Sequence, residues 1–183
     1  MATRGTSRRT RWLRVRWTTT ALVLVLLVYA AFIRPLHLRW GATEAEIDRT
    51  MPGDELLTSP DIDATRAIAI AAPPERVWRV LESRAGAVVA ARGRGRVWER
   101  QVDPGRSVVW KDAQARSTWS WQVEGVDSGR TRLVTRQRAR YRWSSPRVIL
   151  ALLAEVRDVV AVRAALRDIK RQAEQGRPPV DRP

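Results

Sequence analysis

Two neighbouring segments constrain this chain more than anything else in it. Over residues 118–126, Trp119, Trp121 and Val123 alternate with Ser120, Gln122 and Glu124. Over residues 131–143, Leu133, Thr135, Gln137, Ala139, Tyr141 and Trp143 share one face, and Arg132, Val134, Arg136, Arg138, Arg140 and Arg142 share the other. A period of two belongs to a β-strand with one side against a core. Asp127-Ser128-Gly129 lies between the two runs and supplies a turn, so they form an antiparallel hairpin. Its aromatic face requires an apolar cover from elsewhere in the chain.

The cover is legible near the C-terminus. Ile149, Leu152, Leu153, Val156, Val159, Val160, Leu166, Ile169 and Ala173 recur at helical spacing, opposite Arg157, Asp158, Arg163, Arg167, Asp168, Lys170 and Arg171. Ser145 and Pro146 suit the start of a helix and Gly176 its end, so the spacing predicts a helix over 146–174. Upstream, residues 64–72 (ATRAIAIAA) read as a first strand stopped by Pro73-Pro74. Val77, Trp78, Val80 and Leu81 then mark a short helix that Gly86 ends. Residues 87–91, 96–102 and 107–111 read as further strands, the last two joined by Asp103-Pro104-Gly105, for a meander of six strands.

Residues 18–33 carry no charge and lie between Arg16 and Arg34, with Trp12, Trp17 and Trp40 on the flanks. Such a stretch predicts a transmembrane helix over 18–36. Six arginines and no acid precede it, which puts residues 1–17 in the cytoplasm and the rest outside, in a single-pass arrangement. A signal peptide cleaved after Val28-Tyr29-Ala30 is the alternative, and would give a secreted chain. Residues 37–63 read as an acidic linker: over 41–65, seven acids face one arginine. The linker is either solvated or laid against the basic domain at 64–175. Residues 176–183 read as a disordered tail.

Composition narrows the chemistry. There is no cysteine and one histidine, His37. Disulfides, thiolate metal sites and a cysteine nucleophile are excluded, and neither a metal nor another cofactor is expected. The net charge of +15 favours anionic partners. An extracytoplasmic address argues against nucleic acid and for the membrane or a hydrophobic small molecule.

The order strand, helix, meander, long helix, with the segment Ile68-Ala-Ile-Ala-Ala-Pro-Pro-Glu-Arg-Val-Trp78, resembles the START-like, or SRPBCC, helix-grip superfamily. Within it the chain resembles membrane-anchored members from high-GC bacteria. The carriers are His37-Leu-Arg-Trp-Gly-Ala-Thr43, Pro52-Gly-Asp-Glu-Leu56, Gly129-Arg-Thr-Arg-Leu133 and Ile169-Lys-Arg-Gln-Ala-Glu174. The resemblance covers 34–175. It implies an α+β fold, an antiparallel sheet wrapped on the long C-terminal helix, with an apolar ligand between them. The segment 82–95 is shorter than in such relatives, which implies a reduced or open-sided cavity.

Three functional expectations follow. A ligand site would draw on Trp78, Trp119, Trp121, Gln137, Tyr141, Leu153, Val156 and Val160. Some relatives are polyketide cyclases or aromatases, and a reaction of that kind needs a positioned acid or base, for which Glu99, Asp112 and Glu124 are available. Alternatively, Arg132, Arg136, Arg138, Arg140 and Arg142 form a ladder that binds anionic surfaces, or else a solvated face paired with neighbouring acids.

Overall fold

The computed structural model describes residues 20–21, 24, 27–92, 98–114, 116–140 and 148–176. The chain divides into two compact units, 1–37 and 38–183. In the first, a π-helical turn, Tyr29–Ile33, runs into a short helix, α1 (Arg34–Leu38). Among the described residues no helix is long and apolar enough to cross a membrane. The span expected at 18–36 includes positions outside that set, at 18–19, 22–23 and 25–26.

The second unit begins with α2 (Glu44–Asp48) and a 3-10 turn, Asp54–Leu56. Then come β1 (Ile62–Ile70), α3 (Pro74–Arg92), β2 (Trp98–Asp103), β3 (Ser107–Asp112), β4 (Ser117–Asp127), β5 (Arg130–Ala139) and α4 (Val148–Gln175). The strands form one antiparallel sheet in the order β1-β5-β4-β3-β2. The β4–β5 hairpin pairs Trp121 with Thr135 and Val123 with Leu133, as the alternation requires.

The main core lies between this sheet and the two long helices. Trp119, Trp121, Val123 and Leu133 from the sheet meet Val162, Leu166, Ile169 and Ala173 from α4 and Val77 and Leu81 from α3. Each fully buried large apolar side chain contributes about 1.5–3 kcal/mol relative to exposure, so this layer holds α4 across the sheet.

Three expectations are corrected. First, α3 runs through Gly86 to Arg92, and residues 87–91 are helix, not strand. A mid-helix glycine costs only about 0.5–1 kcal/mol, and the buried Val77, Leu81 and Val89 hold the helix to the core. A short apolar run such as Ala87 to Ala91 does not by itself distinguish helix from strand. The sheet therefore has five strands. Second, Val160 is 66% exposed while Val159 and Val162 are buried; at about 100° per residue, a helix that turns Val159 and Val162 inward turns Val160 out. Third, of the two alternatives for the acidic linker at 37–63 the solvated one is set aside, because residues 38–63 lie against the domain. They form a strap across the outer face of the sheet, where Met51 and Ala42 pack on Ala67 and Val134. The crossing is tight at Gly41, whose φ is +71°, and the Trp40 carbonyl accepts the Ala67 N–H at 3.1 Å.

Candidate functional site

Strand register sets out the inward face in rows. One row runs Arg66, Thr135, Trp121, Val108; the next runs Ala64, Gln137, Trp119, Trp110; a third brings Ser117 and Asp112 beside Trp98. Trp119 and Trp121 lie with ring centroids 5.6 Å apart, tilted by 37°. Trp78 joins the same cluster from α3 and Trp98 packs at its edge. Arg100 sits with its guanidinium carbon 5.9 Å from the centroid of the Trp110 ring, and its Nη2 is 3.7 Å from Glu82 Oε1 on α3.

The indole N–H groups on this face differ in what they meet. Trp119 Nε1 donates to Thr135 Oγ1 at 2.8 Å, and that hydroxyl donates to the Ser120 carbonyl at 2.9 Å. Trp121 Nε1 and Trp98 Nε1 are buried and meet no acceptor among the described residues. A buried donor left without an acceptor costs about 1–3 kcal/mol. Two such donors on one aromatic face are what a ligand's acceptor groups would satisfy.

The outer face has the opposite chemistry. Arg132 forks onto Glu46, Nε to Oε1 at 2.6 Å and Nη2 to Oε2 at 2.9 Å. Glu46 also closes the N-cap of α2: it accepts the Thr43 N–H at 2.7 Å, while Thr43 Oγ1 accepts the Glu46 N–H at 3.2 Å. Burial pushes the Glu46 carboxyl up, but the bonds from Arg132 and Thr43 outweigh it and bring the pKa down to about 2. The same bond to Glu46 raises Arg132 against the opposing pull of burial.

Arg136 is only 3% exposed. Its Nε donates to Thr65 Oγ1 at 2.9 Å, its Nη1 to the Arg49 carbonyl at 2.8 Å and Asp54 Oδ2 at 2.6 Å, and its Nη2 to the carbonyls of Glu46 at 2.8 Å and Ile47 at 2.7 Å. Arg138 pairs with Asp63 at 2.8 Å and Asp54 at 3.3 Å, and Arg140 donates to the Ser59 carbonyl at 2.9 Å. On β4, Glu124 pairs with Arg49 at 2.5 Å. Arg132, Arg136 and Arg138 are thus not open to an anionic surface: residues 41–63 already occupy them, because burying a guanidinium requires a carboxylate and carbonyls around its five N–H donors, while Arg140 is exposed.

Three solved structures align with part of this chain. The Zhui aromatase/cyclase from Streptomyces sp. R1128 aligns at 20% identity and a TM-score of 0.44, over 60% of this chain and 94% of that one. The di-domain ARO/CYC StfQ from the steffimycin biosynthetic pathway aligns at 16% identity and 0.47, over 67% of this chain and 54% of that one. A Polyketide_cyc-like protein from Corynebacterium glutamicum aligns at 15% identity and 0.43, over 60% and 89%. No protein-family model and no curated protein matches the sequence. At TM-scores below 0.5 these alignments assign neither a family nor a chemistry to this chain, and its chemistry rests on its own side chains.

Of the residues expected to line a ligand site, Trp78, Trp119 and Trp121 come together in the main core, and Gln137 lies on the same face beside Trp119. Val160 points away. Tyr141 and Arg142 lie outside the described residues, as do the side chains of Leu153 and Val156. Among the three carboxylates considered for catalysis, Glu99 is exposed and 3.5 Å from Lys111, and Glu124 is on the outer face. Asp112 is 4% exposed and belongs to an inward row, with Oδ1 accepting the Gln114 N–H at 2.9 Å. Sequence reasoning missed Arg66, which is 2% exposed on the inward side of β1. The signal was present: Arg66 shares its alternation with Ile68 and Ile70, a charge in an apolar register.

Proposed function

We propose that this chain binds a small, largely apolar molecule between the inward face of the sheet and α4, oriented by hydrogen bonds from the tryptophan N–H groups. The observation that carries this reading is the buried Trp121 Nε1, which meets no acceptor among the described residues and sits in a face of aromatic side chains. The apolar walls supply affinity through burial, and a ligand carbonyl or hydroxyl oxygen on Trp121 supplies orientation. The test is native mass spectrometry of the full chain, followed by tryptophan-fluorescence titration with whatever small molecule co-purifies. Trp121→Phe keeps the ring stack and removes the donor. It is expected to weaken binding about tenfold while the melting temperature stays close to that of the parent. A chain that carries nothing and binds no apolar probe overturns the proposal.

A second reading, cyclase-like chemistry on the bound molecule, is favoured by Asp112, the carboxylate placed on an inward row. It requires that Asp112→Asn retain binding and lose turnover. The membrane tether belongs to this proposal on the strength of the uncharged residues 18–33 and the arginines before them. Recovery of the full chain in a membrane fraction, resistant to high salt, supports it, and recovery in the soluble fraction removes it.

A further inference from the structure

We infer that Trp40, Arg163 and Arg167 form a binding site for a phosphate monoester on the flank of α4. Trp40 lies at the start of the strap, beside β1. Its carbonyl accepts the Ala67 N–H at 3.1 Å, Gly41 turns the chain after it at a φ of +71°, and its ring packs, half-buried, against the main core. The indole is thereby held in one place, and two arginines of α4 lie over it. The guanidinium carbon of Arg163 is 4.6 Å from the ring centroid and that of Arg167 is 5.7 Å from it.

Neither arginine is committed elsewhere. Among the described residues Arg163 and Arg167 make no hydrogen bond and no ion pair, and Arg163 Nε is buried with no acceptor. The other described cations of α4 each have a carboxylate: Arg157 has Asp158, Lys170 has Glu174 and Arg171 has Asp168. The acids nearest in sequence are already taken, Asp168 by Arg171 and Gln172, and Glu44 by Arg39. Like charges four positions apart on a helix repel each other. An indole face attracts a cation but carries no net charge to neutralise two of them. An anion held between the two guanidiniums supplies that charge.

The geometry selects among anions. Positions four apart place their Cβ atoms about 5–6 Å from each other on one helix face, so one small group can reach both side chains. A guanidinium held over an aromatic ring gives up rotamer freedom before any ligand arrives, and it keeps its in-plane N–H donors for a bidentate partner. One such fork fills the two oxygens of a carboxylate. Two forks suit a phosphate monoester, which has three terminal oxygens and a charge of about −1.5 to −2 at neutral pH. That group is carried by small soluble phosphates and by the headgroup of a phosphatidic acid. The site touches neither the inward aromatic face nor residues 18–33, so its failure would leave the interior ligand and the tether untouched.

The test is a titration of the ¹⁵N-labelled full chain in zwitterionic micelles, followed at the Trp40 indole N–H and the Arg163 Nε–H. The titrants are sn-glycerol 3-phosphate, dihexanoyl phosphatidic acid and, as control, acetate at matched ionic strength. Saturable shifts are expected with phosphate and not with acetate, and they should weaken at high salt as the exposed Arg167 is screened. Response to both phosphates assigns the site to phosphate monoesters generally; response to the lipid alone assigns it to a headgroup. Arg163→Gln with Arg167→Gln is expected to weaken binding about tenfold or more. Arg163→Lys with Arg167→Lys keeps both charges but loses the forks, and is expected to recover only part of that loss. An unshifted Trp121 indole resonance checks the fold in both variants. Equal response to acetate, no response to either phosphate, or unchanged affinity in the glutamine variant overturns the site.

Discussion

Replacing Arg136 with methionine removes the centre of the outer-face clamp while keeping most of the side chain's length. Arg136 is nearly fully buried and donates five hydrogen bonds, two of them to oxygens at 2.7 Å or less. The substitution leaves the carbonyls of Glu46, Ile47 and Arg49 with less than their share. It also leaves Asp54, itself 8% exposed, with only the Met51 N–H at 2.8 Å and Arg138 at 3.3 Å. Removing one partner of a buried ion pair costs about 3–5 kcal/mol, mostly because the remaining charge stays desolvated. For a unit of this size each kcal/mol corresponds to about 2–4 °C in melting temperature, so a fall of about 6–20 °C is expected. Urea unfolding followed by tryptophan fluorescence gives the equilibrium value, and limited proteolysis within residues 43–63 detects a strap that lifts alone. Adding Asp54→Asn removes the stranded charge, so the double variant is expected to recover at least 1 kcal/mol relative to the sum of the single ones. If Arg136→Met lies within 1 kcal/mol of the parent and the strap stays resistant to protease, the clamp does not stabilise the unit and the argument for the outer face fails.

Other consequences are more local. Glu46 has its carboxyl lowered from 4.5 to about 2, so its contribution is fully present above pH 4.5 and is lost as pH falls towards 2. Glu46→Gln is expected to be less stable at neutral pH by about 1–2 kcal/mol, after allowance for the part-exposed Arg132, and to show a flatter stability profile over that window; an unchanged profile would refute the pairing. Two glycines are predicted to respond in opposite directions. Gly41→Ala places a Cβ against the Ala67 carbonyl at a positive φ and should cost about 2 kcal/mol or more. Gly86→Ala enters open space in the middle of α3 and should gain about 0.5–1 kcal/mol. Thermal melts of the two variants check both.

The inward face was largely legible because its signal is local. Alternation at Trp119, Trp121 and Val123 against Leu133 and Thr135 sets the hairpin register within one turn of chain. The apolar spacing of α4 survives as Val159, Val162, Leu166, Ile169 and Ala173 in the core. The misreadings occurred where two conformations satisfy the same short pattern. Ala87 to Ala91 reads as strand until α3 is seen continuing through Gly86. Val160 follows the helical period as well as Val159 does, and only the azimuth of the helix against the sheet separates them.

The alternation of β5 assigned its arginines to the face opposite Leu133 and Thr135 from sequence alone, because side-chain direction in a strand is fixed by backbone geometry. It did not fix what those arginines meet. That was decided by segments far away in the chain: Asp54 reaches Arg136 across 82 positions and Glu46 reaches Arg132 across 86. Whether a charged face is solvated or buried depends on which remote segment packs on it. Periodicity within a strand carries no information about that choice, so only the tertiary structure turned an arginine ladder into the underside of a strap.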